Sequence, residues 1–378
     1  MLKIIIDENI LFAEKAFSHL GIVETVPGRF ISNQLLKNAD ILIVRSITKV
    51  DEGLLRNTNI KFTGTATIGT DHVDLNYLKK NKIAFADAQG CNAFSVAEYV
   101  VASLFYLSVK FNFNLKDKSI GIVGVGNVGS KVAHFSESLG MRVFLNDPPL
   151  ERGGDPRKFV SLNEILKCDI ITLHTPLNLS GIDSTLHLIN KDKLDKLKEN
   201  TILINTSRGA VINNNDLIET LRNKKIITVL DVWENEPEVN LELLDRADIA
   251  TPHIAGYSYE GKANGTIMIY DSLCKFLNVD KQYDFQLPVL QNPVIEINFS
   301  TRFEDSMNQL ISEIYPIADD DKRMRKMAGM SSSNIINEFD NQRKYYPVRR
   351  EYNNYKIKST NLNETIKSVL AELRFKII

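Results

Sequence analysis

The stretch 119-SIGIVGVGNVGSKVAHFSESLG-140 decides the fold. It opens as a short apolar run, the pattern of a strand buried on both faces. Glycines follow at 124, 126 and 129, and Val128, Val132, Phe135 and Leu139 then recur at spacings of four, three and four, as on one face of a helix. Strand, glycine turn and helix in that order give Gly124-x-Gly126-x-x-Gly129 its meaning. The glycines allow a tight turn, close approach of backbone to an anion and close helix packing, while the helix N-terminus offers unpaired N–H groups to a pyrophosphate. Eighteen residues past Gly129, Asp147 ends the next apolar run, RVFLND (142–147). A carboxylate there accepts hydrogen bonds from an adenosine ribose and repels a 2′-phosphate, which favours NAD over NADP; Arg152 close by keeps NADP in view.

Downstream, DIITLH (169–174), TILINT (201–206) and ITVLDV (227–232) are further near-continuous apolar runs, separated by charged helical patterns at 190–200 and 214–225. This predicts a doubly wound parallel sheet. Upstream, KIIID (3–7), DILIVRS (40–46), KFTGTA (61–66) and IAFAD (83–87) alternate with helical patterns and predict a second parallel sheet. SVAEYVVASLFYLSV (95–109), apolar almost all round, reads as a buried helix, and 259–278 as a helix returning to the first sheet. The tail changes character: QLPVLQNPVIEINFS (286–300) has two prolines beside a short alternating run, and RKYYPVRREYNNYKI (343–357) mixes bases with tyrosines. The expected fold class is α/β: two doubly wound parallel-sheet domains, a flavodoxin-like substrate domain (1–110 and 254–285) with an inserted NAD-binding Rossmann domain (111–253), and a small α+β C-terminal domain (286–378).

Composition bounds the partners. Of 378 residues 43% are apolar and 25% charged, and the formal net charge is −1, from 46 basic and 47 acidic residues. No bulk field would gather nucleic acid or an anionic membrane, so neither is expected as a partner. Three scattered cysteines fit neither a disulfide framework nor a zinc site, and no metal cluster is visible. MLKIIIDENI places acids directly after a short apolar run, so a soluble cytoplasmic protein is expected. RMRKMAGM (323–330) and Trp233 read as packing and solvated helix.

Oxidising a hydroxyl-bearing carbon by hydride transfer requires a base for the hydroxyl proton, placed at the carboxyl ends of the strands. Arg208 in NTSRGAV, Glu236 in VWENEP and His253 in TPHIAGYS all follow apolar runs. An arginine holds a carboxylate with a permanent fork, a histidine titrates near neutrality, and a glutamate beside it favours the imidazolium. His72 and His174 are weaker candidates for the proton.

GVGNVG, HTPL (174–177), NTSRGAV (205–211), DVWENEP (231–237) and PHIAG (252–256) together resemble, in order and spacing, the D-isomer-specific 2-hydroxyacid dehydrogenase family. The resemblance covers roughly residues 1–280. It implies that Arg208 binds and polarises substrate, that Glu236 supports His253, and that His253 exchanges the proton. NAD contacts are implied at Gly124, Gly126, Asn127, Val128 and Gly129, at Asp147, Thr175, Ser207 and Asp231, and at Gly256. DEN (7–9), PGRF (27–30), VRSITKV (44–50), GTATIGTDHVD (64–74), NDPP (146–149), HIAGYSYEGKANGT (253–266) and the tyrosine-rich tail are similar to the members of that family that oxidise 4-phospho-D-erythronate in pyridoxal phosphate synthesis. That closer resemblance implies substrate contacts at Arg45, Ser46, Thr67 and Tyr257, with Lys49, Arg349 and Arg350 as further candidates for a phosphate, and a homodimer formed through the tail. Other hydroxyacid dehydrogenases, acting on 3-phosphoglycerate or glyoxylate, and a non-catalytic NAD(H)-sensing protein of the same fold are the alternatives.

Overall fold

The computed structural model describes residues 1–299 and 302–378, which form two compact units: 1–92 with 258–289, and 93–257 with 290–378. Ser300, the last residue of the QLPVLQNPVIEINFS run, and Thr301 lie outside the described residues. In the first unit, β1 (Leu2–Asp7), β2 (Gly21–Val26), β3 (Ile41–Val44), β4 (Phe62–Thr65) and β5 (Ala84–Ala86) form one parallel sheet in the order β2-β1-β3-β4-β5. This is the flavodoxin-like order, reversing between β1 and β3. The central strands are the expected runs. β2 is the one that period and composition did not single out, because GIVETV lies at the sheet edge with Ile22 exposed, and no continuous apolar run marks it. Helix Tyr259–Leu277, capped by the Ser258 hydroxyl accepting from Gly261 N, buries Ile269, Tyr270 and Leu273 against Ile4, Ile6, Ile41 and Ile43. At Gly64 of β4 a methyl group would meet Ile269 at 2.6 Å, so the glycine lets this helix sit directly on the sheet.

In the second unit, β6 (Ser119–Val123), β7 (Arg142–Asn146), β8 (Ile170–Leu173), β9 (Ile202–Asn205), β10 (Ile227–Leu230) and β11 (Ile249–Ala250) pair in parallel, in the order β11-β10-β9-β8-β6-β7. Phe159 bridges Leu145 beyond β7, continuing the sheet on that side. The strand order therefore reverses between β6 and β8, the position where a doubly wound sheet opens a crevice at its carboxyl edge. Helix Asn214–Asn223 matches its pattern. The 190–200 pattern does not: only Lys191–Leu194 is helical, because the chain turns at once to bury Leu197 and enter β9.

Helix Ala93–Lys110 is the buried helix expected from its composition. It is long and apolar enough to cross a membrane, yet 78% of that window is buried inside the protein. Its burial is completed by the tail, which forms β12 (Val294–Glu296), β13 (Lys356–Lys358) and β14 (Lys376–Ile377), a parallel three-stranded sheet, with helices Phe303–Ile314, Ile317–Arg325, Ser332–Lys344 and Glu364–Glu372. Met307, Leu310, Ile311 and Tyr352 share one core with Tyr99, Leu104 and Phe105 of the long helix, while Met324, Met327 and Phe339 join the core beside β8 to β11. Asp321 accepts from Ala250 N at 2.8 Å, so a tail carboxylate closes the otherwise unpaired edge of β11.

Candidate active site

The glycine turn has the geometry of an anion cradle. Gly124 has φ +83°, and a methyl group on it would lie 2.8 Å from the His174 carbonyl carbon. A methyl on Gly129 would lie 2.0 Å from the Gly124 oxygen, so helix Asn127–Ser138 meets its strand backbone to backbone. Gly126 differs: nothing lies within 4 Å of where its methyl would be. Packing does not need a glycine there, whereas a phosphate approaching the backbone does. No side chain caps this helix, so its first-turn N–H groups remain available to an anion. The Oγ1 of Thr175, at the end of β8, is buried without a hydrogen-bond partner, a polar atom that a bound group would satisfy. Asp147 caps the next short helix through Leu150 N at 3.1 Å and accepts Val125 N at 2.7 Å. It thus pins the glycine turn to the end of β7, and each carboxylate oxygen still has a second lone pair for a ribose hydroxyl. The residues present fit a dinucleotide.

Beyond β9 to β11 three loops converge. His253 Nδ1 and Glu236 Oε1 are 2.5 Å apart, and both side chains are part-buried. Burial alone would raise the Glu236 carboxyl; the His253 charge and hydrogen bond, the Arg343 charge and the Trp233 N–H outweigh it and hold the group below its ordinary range. The carboxylate is therefore ionised and fixes the imidazole with Nε2 directed away from it. His253 itself has φ +57°, a conformation that side chains seldom adopt. The loop is held there by Asp231, whose backbone oxygen accepts His253 N at 2.7 Å and whose carboxylate accepts Ile254 N at 2.7 Å, Ala255 N at 3.0 Å and Thr251 Oγ1 at 2.6 Å. Tyr99 of the long helix bonds Thr251 Oγ1, and the Trp233 indole N–H donates to the Thr251 carbonyl at 3.0 Å. Asp231, expected against the cofactor, is fully buried and uses its carboxylate to shape the histidine loop. Trp233, read from sequence as packing, also ties that loop down.

Arg208 follows β9, where Asn205 organises the turn by accepting from Ser207 N and Oγ and donating to the Arg208 carbonyl. The next residue, Gly209, lies so close to the loop bearing Glu236 that a methyl would fall 1.9 Å from the Trp233 carbonyl carbon. Arginine loop and glutamate loop are thus locked in register. A second carboxylate–imidazole pair, not signalled by the sequence, reinforces this: Glu234 bonds His187 Nε2 at 2.5 Å and accepts Asn214 N at 3.0 Å. His187 N in turn bonds the Ala210 carbonyl at 2.7 Å. Only the alternation of Glu234 and Glu236 could have hinted at two carboxylates facing opposite ways.

The competing histidines are accounted for. His174 is held between the Thr172 and Thr206 hydroxyls at 2.9 and 3.1 Å, and burial depresses it to about 3, so it stays neutral. His72 bonds Thr65 Oγ1 at 3.0 Å, and Thr65 Oγ1 in turn meets Thr67 Oγ1 at 2.8 Å. Tyr257 packs edge-on to Tyr346, with the Arg343 guanidinium 5.7 Å from its ring centre. In the first unit, DEN, PGRF and VRSITKV meet: Arg45 pairs with buried Asp7, whose Oδ2 would touch a methyl on Gly28, and Thr48 donates to the Gly28 carbonyl. Ser46 is exposed at that corner, and Lys49 pairs with Asp51. Arg349 and Arg350, further candidates for a phosphate, are buried; Arg349 donates to the Ser95 and Ala255 carbonyls.

Residues 103–255 match the model of the D-isomer specific 2-hydroxyacid dehydrogenase NAD binding domain, and residues 286–373 match a domain of unknown function, DUF3410. The chain is 47% identical over 364 residues to the erythronate-4-phosphate dehydrogenase of Proteus mirabilis, covering 95% of this chain and 96% of that protein. It is 45% identical to that of Serratia proteamaculans, covering 94% and 95%. Among solved structures it is similar to NAD+-bound 3-phosphoglycerate dehydrogenase of Entamoeba histolytica, with TM-score 0.63, 27% identity and coverage of 76% of this chain and 99% of that one. A D-lactate dehydrogenase from Aquifex aeolicus complexed with NAD and lactic acid gives TM-score 0.59 and 25% identity, covering 73% and 95%.

Proposed function

The chain belongs to the erythronate-4-phosphate dehydrogenases within the D-isomer-specific 2-hydroxyacid dehydrogenase family, and from that premise we propose that it oxidises 4-phospho-D-erythronate at C2 to 2-oxo-3-hydroxy-4-phosphobutanoate, a step of pyridoxal phosphate synthesis. NAD, when bound, supplies the hydride acceptor. Gly124, Gly126, Asn127, Val128 and Gly129 receive its pyrophosphate, Asp147 its ribose, and Thr175, Ser207 and Gly256 complete the cradle; Asp231 serves it by holding the loop that carries Gly256.

The observation that carries the reading is the His253–Glu236 bond of 2.5 Å. His253 takes the C2 hydroxyl proton on Nε2 as the C2–H bond breaks, and Glu236, already ionised, stabilises the imidazolium that forms. Arg208 holds the substrate carboxylate with its planar fork and polarises the developing carbonyl. Tyr257, Arg45, Ser46 and Thr67 keep the substrate-binding role that the resemblance gave them. The proposed division of labour is residues 1–110 and 254–285 for substrate, 111–253 for NAD, and 286–378 for pairing of two subunits in the cytoplasm.

The test compares turnover of 4-phospho-D-erythronate, 3-phosphoglycerate and D-lactate with NAD or another hydride acceptor. Preference for the first by on the order of 100-fold or more is expected, since leaving a site's charged partners unpaired is heavily penalised. Preference for 3-phosphoglycerate would overturn the substrate, and turnover of none would overturn the reading as a dehydrogenase.

A further inference from the structure

A substrate with a carboxylate at one end and a phosphate at the other needs two cationic sites. If Arg208 takes the carboxylate, the phosphate calls for a second fixed cation near the histidine loop. Most sequence candidates are already engaged. Arg45 pairs with buried Asp7, Lys49 with Asp51, and Arg350 with Asn354. Arg349 is enclosed, 5% exposed, with its guanidinium 4.0 Å from the Tyr315 ring centre.

Arg343 is placed differently. It sits in the last turn of helix Ser332–Lys344, part-exposed, with its guanidinium between the ring faces of Tyr257 and Phe339 at 5.7 and 5.8 Å. Its Nε is buried and has no hydrogen-bond partner, a feature it shares with Arg45 Nε and with Arg349 Nε and Nη1, so what sets it apart is its place beside Tyr257 and the Glu236 charge. The charges that act on it are Glu236 and Asp340, together with the Tyr257 hydroxyl, so its field reaches the His253–Glu236 pair from the tail. A part-buried guanidinium with an unsatisfied donor is a costly arrangement unless an anion completes it, and its fork matches two oxygens of a phosphate. Tyr257, four residues beyond His253, presents the ring that aligns that fork.

We propose that Arg343 is a substrate-binding residue that reads the phosphate of the hydroxy acid, so that the C-terminal segment sets the preference for a phosphorylated substrate. This rests on the dehydrogenase reading for its substrate but not for its anion. Residues 286–373 match a domain model separate from that of the NAD binding domain at 103–255, so a specificity residue drawn from the tail is an addition to the nucleotide-binding machinery.

The experiment uses the full-length, NAD-loaded protein and the variants Arg343→Gln and Arg343→Lys. With Arg343→Gln, kcat/KM for 4-phospho-D-erythronate is expected to fall on the order of 100-fold further than that for unphosphorylated D-erythronate. Arg343→Lys, which keeps the charge and loses the fork, should fall in between and carries the test if the glutamine variant does not fold. In parallel, inorganic phosphate is titrated by calorimetry: the parent should bind it and Arg343→Gln should not. Phosphate binding that depends on Arg343 in a protein that fails to oxidise 4-phospho-D-erythronate would reject the substrate and keep the anion site. Equal loss for both substrates, or equal phosphate binding by parent and variant, would overturn the role given to Arg343.

Discussion

At the scale of residues, function is concentrated in groups whose titration is set by what surrounds them. Glu236 is held below the ordinary carboxylate range and stays charged beside His253. Glu236→Gln keeps the shape but removes the anion that selects the tautomer. It should lower kcat by on the order of 100-fold or more with KM little changed, as read in steady-state kinetics. His174 makes the opposite case. Burial depresses it from 6.5 to about 3. Between those values the unfolded chain binds a proton that the folded chain refuses, so stability falls as pH drops through that window, by about 1.4 kcal/mol per pH unit for this group. Urea midpoints measured from pH 7 to pH 4 should show a shallower decline in His174→Gln than in the parent; an equal decline would mean that His174 titrates normally. Arg208, Glu236 and His253 could be named as candidates from sequence because three chemically complementary types end successive apolar runs. Asp231 as clamp, Glu234 with His187, and Arg343 could not, because their meaning lies in which backbone N–H or ring each one meets after the chain has turned.

At the scale of elements, the carboxyl edge of the second sheet is a set of loops fastened to one another by backbone contact. Two glycines of one motif separate packing from binding. Gly129→Ala pushes a methyl to within 2.0 Å of a carbonyl oxygen and should destabilise the fold, whereas Gly126 faces open space and has φ −73°. Gly126→Ala should leave the thermal midpoint within a degree or two yet weaken NAD binding, measured by fluorescence titration. Unchanged affinity would show that the backbone at Gly126 is not approached by the cofactor. The strands were legible from apolar runs because both faces are buried. Edge strand β2, half-buried and paired on one side, and β11, only two residues long, were not, since each leaves too little pattern.

At the scale of the molecule, the tail is welded to the long helix by buried charge. Glu98 of Ala93–Lys110 accepts Tyr352 N at 2.9 Å, and Arg374 bonds Glu351 at 2.8 Å and approaches Glu98 at 3.4 Å. Burial first, and the Glu351 carboxylate second, push Glu98 well above its ordinary range. A proton held by the folded chain and released by the unfolded one means that stability falls as pH rises above the ordinary carboxyl range. Glu98→Gln should therefore be nearly neutral at mildly acidic pH and gain on the parent toward pH 8, while Arg374→Ala, which strands Glu351, should cost about 3 kcal/mol. Denaturation at both pH values checks both. The tail's place in this core was hidden from the sequence, because its partners lie some 250 residues away. The same welding explains how a helix of the tail delivers Arg343 to the histidine loop.

The most direct test of the account follows the hydrogen itself. With 4-phospho-D-erythronate deuterated at C2, mass spectrometry of the reduced nucleotide should show NADH carrying one deuterium, with the 2-oxo acid as co-product, and His253→Ala should suppress both together. Reduced nucleotide without deuterium, or undiminished transfer in His253→Ala, would contradict the assignment of C2 oxidation to the Arg208, Glu236 and His253 site.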